Sequence, residues 1–175
     1  YPPGGSTDLT GRAVADQLTQ KLGVPVVVEK ARGAGGAIAA LKTSKAQPDG
    51  YTLLLGANNE ILINKLVTPA TIKYTYKDFT PIGLVASQPM VLVASTATGV
   101  KDVNQFLNAV TATPGRFSYG SSGVGTALHL AGEMVKQQGG VFMTHIPYRG
   151  VAPLTIDLVG GGLEYGVFVL SSGLP

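Results

Sequence analysis

The sequence predicts an α/β protein built on a mostly parallel sheet. Short apolar or β-branched segments alternate with longer segments in which apolar residues recur every three or four positions. These are the patterns of strands and of amphipathic helices. Turns rich in Gly, Pro, Asn and Asp separate the segments. Because helices connect successive strands, we expect the strands to run parallel and ligands to bind at their carboxyl ends.

The first half of the chain is predicted to alternate three helices with three strands. One face of the first helix carries Leu9, Ala13, Val14, Leu18 and Leu22. Gly23 is a suitable helix stop. Further helices are expected over 37–45 and 57–66, and strands over 24–29, 51–56 and 82–86. The sequence Pro48-Asp49-Gly50 is typical of a turn, because Pro fixes φ, Asp caps and Gly accepts positive φ.

Two apolar runs adjoin near the middle of the chain, at 82–86 and 90–94, with Ser87-Gln88-Pro89 between them. We interpret this as a crossing from one sheet to another. A domain boundary is therefore predicted near Gln88, which divides the chain into a first lobe, 1–87, and a second lobe, 88–175.

The second half repeats the alternation. Helices are predicted over 102–112, from Ala127 onward, and over 152–159, and strands over 90–94, 117–119, 141–146 and 163–169. The helix from Ala127 shows the clearest apolar stripe, formed by Ala127, Leu130, Ala131, Met134 and Val135. We expect this stripe to face the core.

The composition excludes several classes of function. The chain has 175 residues, no Cys and a net charge of +3, with no block of like charges. Without Cys there are no disulfides, thiolate nucleophiles or Cys-type zinc sites. A nucleic-acid-binding protein would gather its basic residues on one face, and here they are scattered. No apolar run approaches the ~20 residues that span a bilayer.

Two glycine-lined loops lead into predicted helices. The first is Tyr1-Pro2-Pro3-Gly4-Gly5, followed by the cap-forming residues Ser6, Thr7 and Asp8. The second runs from Gly120 to Thr126. Backbone N–H groups at such turns, together with the positive end of a helix dipole, attract anions. Neither loop carries an obvious catalytic group, so the pair indicates binding rather than chemistry.

The second loop departs from two catalytic motifs. Gly120 and Gly125 have the spacing of a phosphate-binding P-loop, but Thr126 stands where that motif has Lys. Ser122 has the position of a nucleophile elbow, but Val124 replaces its last Gly. The loop is consistent with a neutral anion cradle, and a structural turn stays open beside it. The alternative function is an α/β hydrolase that uses Ser122 with His129 or His145.

The remaining polar candidates each have two interpretations. His129 and Glu133 lie four apart on one helix, either as an acid–base pair or, as we prefer, as a solvated or cleft-facing pair. His145 is interpreted as a satisfied core or edge histidine. Because the two histidines lie in different contexts, no metal site is predicted. Arg149 either pairs with a carboxylate or lies at the surface.

The turn at 33–36 lacks the third Gly of a dinucleotide fingerprint, which favours a tight strand-to-helix connection. Asn58 and Asn59 either contact a ligand or cap the short helix that follows. No cofactor is predicted.

Seven segments in this order resemble the substrate-binding receptors of tripartite tricarboxylate transporters, also called Bug receptors. Together they span nearly the whole chain. They are the segments at 1–8, 33–36, 48–56, 77–81, 119–126, 129–133 and 145–150, among them Tyr-Pro-Pro-Gly-Gly-Ser-Thr-Asp, Pro-Asp-Gly-Tyr-Thr-Leu-Leu-Leu-Gly and His-Ile-Pro-Tyr-Arg-Gly.

The resemblance implies a type II periplasmic-binding-protein fold, with two α/β lobes around a ligand cleft. Family members have an apolar strand before the opening loop and a return segment after the last one. The resemblance therefore also implies a fold truncated at both ends. It further implies a non-enzymatic, periplasmic receptor that captures a small carboxylate, such as a di- or tricarboxylate, an amino acid or an aromatic acid. The expected partners are the membrane permease subunits, and the receptor itself does not span the membrane.

The resemblance also implies which residues hold the ligand, largely through backbone N–H groups. In the first lobe these are Gly4, Gly5, Ser6 and Thr7, with Ala57 and Asn58 at the rim. In the second lobe they are Ser121, Ser122, Gly123 and Thr126. Tyr148, at the end of a predicted strand, completes the candidate ligand-binding set.

Overall fold

The computed structural model describes residues 6–31 and 33–173. The chain divides into two compact units, Tyr1–Ser87 and Gln88–Pro175. Within the described residues, no helix is long and apolar enough to cross a membrane.

The first unit is mainly helical. Its helices are α1 (Ser6–Leu22), α2 (Ala37–Ser44), a π-helix (Asn59–Ile63) and α3 (Asn64–Val67). Gly23, at φ +69°, ends α1 as predicted. A small core joins Ala37, Ala40, Ile72 and Tyr74.

The turn before α2 is a tight connection, as the sequence favoured. Gly33, Ala34, Gly35 and Gly36 all have positive φ. Such a run of left-handed backbone suits glycine, which has no Cβ to clash. A Cβ on Gly36 would lie 2.9 Å from the carboxyl carbon of Glu60, so the turn also needs glycine for packing.

The three strands predicted in the first unit are wrong. Segments 24–29, 51–56 and 82–86 have no strand assignment and pair with no other described segment. Several of their apolar side chains are exposed, including Val27 at 85% and Leu84 at 87%. β-branched residues favour extended backbone, but a strand forms only where a neighbour supplies matching N–H and C=O groups.

The second unit contains a four-stranded sheet in the order β1-β4-β2-β3. Its strands are β1 (Met90–Ala94), β2 (Ser118–Ser121), β3 (Thr144–Pro147) and β4 (Tyr165–Val169). The pairs β4–β2 and β2–β3 are parallel, and β1 lies antiparallel to β4 at the edge. The mostly parallel sheet is therefore confirmed for this unit. The third strand begins three residues later than the sequence predicts.

Helices cover the sheet of the second unit. They are α4 (Val103–Ala112), α5 (Ala127–Gly139) and α6 (Val151–Val159), with a short α7 (Leu170–Gly173) after β4. Along β4, Tyr165 and Val167 join a core with residues of α4 and α5, whereas Phe168 joins a second core with Leu154 and Leu158 of α6. Alternate residues of one strand thus fill two cores, as expected for a strand buried on both faces.

The apolar stripe predicted for α5 is only partly buried. The buried residues of α5 are Leu128 and Gly132, which lie outside the stripe, whereas Leu130 and Met134 of the stripe are exposed. A Cβ on Gly132 would lie 2.1 Å from Cε2 of Tyr119 in β2. The missing side chain lets α5 approach the sheet along the face that carries Gly132, and this face also carries His129 and Glu133.

Replacing Gly132 with Ala tests this close approach. Gly→Ala inside a helix ordinarily stabilises by about 1 kcal/mol. Here we expect a net destabilisation of about 1–3 kcal/mol, because the added methyl overlaps the Tyr119 ring. Denaturant unfolding measures the change. Gly162→Ala is the control, since its Cβ would meet only a backbone oxygen at 3.6 Å. Equal stability of Gly132→Ala and the parent would contradict the packing described.

Candidate functional site

Residues 121–126, named here the 121–126 turn, connect β2 to α5. The turn lies at the carboxyl end of a central parallel strand and at the N-terminus of a 13-residue helix. Gly123 and Gly125 have φ of +134° and +74°, which favours glycine at both positions. The N-terminus of the helix carries a partial positive charge, so the turn presents its backbone where an anion is favoured.

Two buried hydroxyl groups hold the turn in shape. The Gly123 N–H donates to Ser121 Oγ at 3.2 Å, and Thr126 Oγ1 donates to the Gly123 carbonyl at 2.8 Å. Thr126 Oγ1 also accepts from the His129 N–H, which caps α5. Ser121 and Thr126 are 0% and 5% exposed. Their side chains therefore shape the turn from inside.

The outward side of the turn offers N–H groups that the described residues do not use. Among residues 6–31 and 33–173, the amides of Ser122 and Val124 have no hydrogen-bond acceptor. Val124 is exposed, and Ser122 and Gly123 are half-buried. Two amides next to a helix N-terminus can donate to a carboxylate without a charged side chain.

Beneath the turn lies a histidine pair that the sequence analysis did not foresee. The rings of His129 and His145 are stacked with centroids 4.1 Å apart. His145 Nε2 lies 2.7 Å from Ser121 Oγ, and His129 Nδ1 accepts the Gly125 N–H at 3.1 Å. The side chains of His129 and Glu133 are 20% and 41% exposed, and their interpretation as a solvated or cleft-facing pair stays a prediction. The signal that could have revealed the histidine pair is Gly132, which lies on the same helical face and allows close approach to the sheet.

A second polar chain extends from the histidine pair along α5. Tyr119 Oη donates to Glu133 Oε1 at 2.6 Å, and Lys136 Nζ donates to both carboxylate oxygens at 2.9 and 3.0 Å. Burial acts to raise the pKa of Glu133, but the bonds from Tyr119 and Lys136 lower it overall. Burial, with the bond to Glu133, raises the pKa of Tyr119. Glu133 is therefore ionised and Tyr119 is neutral near neutral pH.

Tyr148 lies beside the turn and is held at both ends. Its N–H donates to the Ser121 carbonyl at 3.0 Å, and its hydroxyl donates to Asp157 Oδ2 at 2.8 Å. Burial and the bond to Asp157 raise the pKa of Tyr148 to about 12. Its neighbour Arg149 is exposed.

The structure describes four of the six ligand-binding residues predicted in the first unit. Gly4 and Gly5 lie outside the described residues, whereas Ser6 begins α1 and Thr7 is half-buried in its first turn. The Ala57 N–H donates to Glu60 Oε1 at 2.8 Å. Glu60 is 2% exposed, and the sequence analysis did not single it out.

Asn58, which precedes the π-helix, is exposed and has no side-chain cap bond. The role of all six predicted first-unit residues in ligand binding stays a prediction.

The geometry does not pair Ser122 with either histidine. Its hydroxyl donates to Thr126 Oγ1 at 3.3 Å, and Ser121 is the serine that contacts His145. A catalytic triad needs a serine bonded to a histidine that is in turn bonded to an orienting carboxylate.

In the described part of the chain, no group of three or more His, Asp or Glu residues is placed to hold a metal ion.

A family model described as "Tripartite tricarboxylate transporter family receptor" matches residues 10–175. BugT of Bordetella pertussis is 36% identical over 162 residues, which are 92% of this chain and 50% of BugT. A UPF0065 protein from the tcbD-tcbE intergenic region of Pseudomonas sp. strain P51 is 34% identical over 164 residues, which are 94% of this chain and 48% of that protein. The chain thus spans about half the length of these relatives.

Three solved structures are similar to this chain over nearly its whole length. One, described as a periplasmic transporter, has a TM-score of 0.91 at 40% identity, and the match covers 99% of this chain and 58% of that chain. R. palustris Rpa4515 with adipate has a TM-score of 0.86 at 30% identity, with 98% and 57% covered. MatC of Rhodopseudomonas palustris with bound malate has a TM-score of 0.84 at 26% identity, with 98% and 58% covered. The α/β fold of this chain is therefore that of the matched parts of these three structures.

The histidine pair predicts how stability depends on pH. Burial, with the neighbouring His129, lowers the pKa of His145 from 6.5 to about 4. The unfolded chain therefore takes up a proton at a higher pH than the folded chain does. The stabilisation is complete above pH 6.5 and is lost as the pH falls towards 4.

Denaturant unfolding across this range measures the loss. His145→Gln is the matched variant, since its amide reaches towards Ser121 but does not titrate in this range. We expect a shallower dependence of its free energy of unfolding on pH. The same slope in parent and variant would show that His145 is not the group responsible.

Proposed function

The chain belongs to the tripartite tricarboxylate transporter receptor family, and we propose that it is part of an extracytoplasmic solute-binding protein that captures a small carboxylate. We further propose that it acts in the periplasm and delivers its ligand to the membrane permease subunits of such a transporter. Adipate and malate in the two R. palustris neighbours support dicarboxylates as the first ligands to test.

The observation that carries the proposal is the pair of unused amides in the 121–126 turn. The Ser122 and Val124 N–H groups have no acceptor among the described residues and lie next to the N-terminus of α5. An anion placed there gains two hydrogen bonds and the favourable field of the helix. A carboxylate has two oxygens that can accept such bonds.

We propose different roles for the residues of the turn. Ser121 and Thr126 are buried and hold the backbone, while Ser122 and Gly123 present the surface that the ligand meets. Tyr148 supports the turn through its N–H bond to the Ser121 carbonyl. The carboxylate is therefore held mainly by backbone, and ligand selectivity belongs to side chains beyond the turn.

We propose binding rather than catalysis. The hydroxyl of Ser122 is bonded to Thr126 and not to a histidine. A serine without a general base is a poor nucleophile. This disfavours the hydrolase alternative, which uses Ser122. Ser121, the serine that contacts His145, is fully buried.

A charge placed in the turn tests the proposal. Gly123→Asp adds a negative charge to the turn that is proposed to receive the ligand's carboxylate, and repulsion should lower affinity at least about tenfold, or ~1.4 kcal/mol. Isothermal titration calorimetry with adipate, malate and citrate measures the effect.

Gly123→Asn is the matched control, because it imposes the same strain at φ +134° without the charge. We expect Gly123→Asn to bind clearly more tightly than Gly123→Asp. Equal affinity of the parent, Asn and Asp forms would remove the turn from the binding site.

A further inference from the structure

The hydrogen bond between Gly125 and His129 requires Nδ1 of that histidine to carry no proton. His129 Nδ1 lies 3.1 Å from the Gly125 nitrogen and accepts its N–H. A ring nitrogen that accepts a hydrogen bond carries no proton, so the bond exists only with neutral imidazole. Protonation of Nδ1 would place two N–H groups against each other. The backbone of the 121–126 turn is therefore coupled to the charge of one side chain.

The same histidine is coupled to the turn by a second route. Its ring stacks on His145, whose Nε2 contacts Ser121 Oγ, and Ser121 Oγ accepts the Gly123 N–H. The Gly125 amide thus bonds to the histidine pair directly, and the Gly123 amide is linked to the pair through Ser121. The neighbouring Ser122 and Val124 N–H groups are the pair proposed to meet the ligand.

Titratable groups from three elements, α5, β3 and β2, surround His129. On α5, Glu133 Oε1 lies 3.9 Å from His129 Nε2 and already accepts from Tyr119 and Lys136. From β3, His145 faces the ring, and its lowered pKa of about 4 keeps it neutral in mildly acid solution. From β2, Tyr119 stays neutral. His129 therefore meets the turn through Nδ1 and faces the Glu133 carboxylate through Nε2.

We propose that His129 is a positioning residue that holds the 121–126 turn in its ligand-binding conformation only while its imidazole is neutral, so that carboxylate affinity falls on acidification. This inference rests on the proposed function, because it needs the ligand to bind at the turn. It adds a residue that does not itself touch the ligand and a dependence on pH.

The first test observes the turn without any ligand. The Gly125 amide resonance of the ¹⁵N-labelled protein is followed between about pH 7.5 and pH 5, the range in which an ordinary histidine titrates. We expect the parent resonance to move upfield and to exchange faster with solvent as the bond to His129 breaks. In His129→Asn, Oδ1 occupies the position of Nδ1 and accepts the same N–H without titrating. Its Gly125 resonance should stay in place.

The second test measures affinity by calorimetry, with adipate and malate as probes. Over the same pH range we expect the parent to lose about fivefold in affinity relative to His129→Asn, the effect of one lost hydrogen bond. Comparison with the variant cancels protonation of the probes themselves. His129→Leu has no acceptor and should bind weakly at every pH. His145→Gln keeps His129 and should retain the pH dependence.

The outcomes separate the two proposals. A Gly125 resonance that ignores pH in the parent, or a parent and His129→Asn that lose affinity equally on acidification, would overturn the role of His129. If the Gly125 resonance titrates as expected but no carboxylate binds at any pH, then the positioning of the turn stands and the proposed function fails.

Discussion

The contact between Gly132 and Tyr119 is the constraint on which the rest of the second unit depends. Because Gly132 has no side chain, α5 lies against the Tyr119 ring with no space for a methyl group. The same helical face then brings His129 and Glu133 onto the sheet, where they meet His145 and the Tyr119 hydroxyl. The helix also begins at the end of β2, so that the intervening turn is short. Packing at one glycine thus determines both the polar contacts between α5 and the sheet and the geometry of the candidate site.

The candidate site is held by hydrogen bonds and not by charged side chains. The hydroxyls of Ser121 and Thr126 bond to the Gly123 backbone, and that of Ser122 donates to Thr126. Ser121 also contacts His145. Such preorganised backbone donors bind an anion without the cost of ordering a long side chain. One of the bonds that create this order is accepted by His129 Nδ1 from the Gly125 N–H, and it needs a neutral imidazole. The order of the turn and its proposed sensitivity to pH therefore share one hydrogen bond.

The sequence predicted the second unit well and the first unit less well, for a physical reason. In the second unit, strands alternate with amphipathic helices, and β2, β3 and β4 find partners within the unit. In the first unit, the segments 24–29, 51–56 and 82–86 have strand composition but no strand partner among the described residues. Local composition sets the extended backbone, whereas pairing depends on distant residues. The histidine pair is hard to predict for a related reason, because 16 positions separate its members and the apolar stripe of α5 predicts a different buried face.

The amides of the 121–126 turn are proposed to receive a carboxylate. A titration of the ¹⁵N-labelled protein with adipate and malate, observed amide by amide, tests this directly. We expect the Ser122 and Val124 resonances to move downfield together as the ligand saturates, while those of α4, on another part of the sheet, stay in place. Saturable binding that leaves Ser122 and Val124 unmoved and shifts other amides would contradict it.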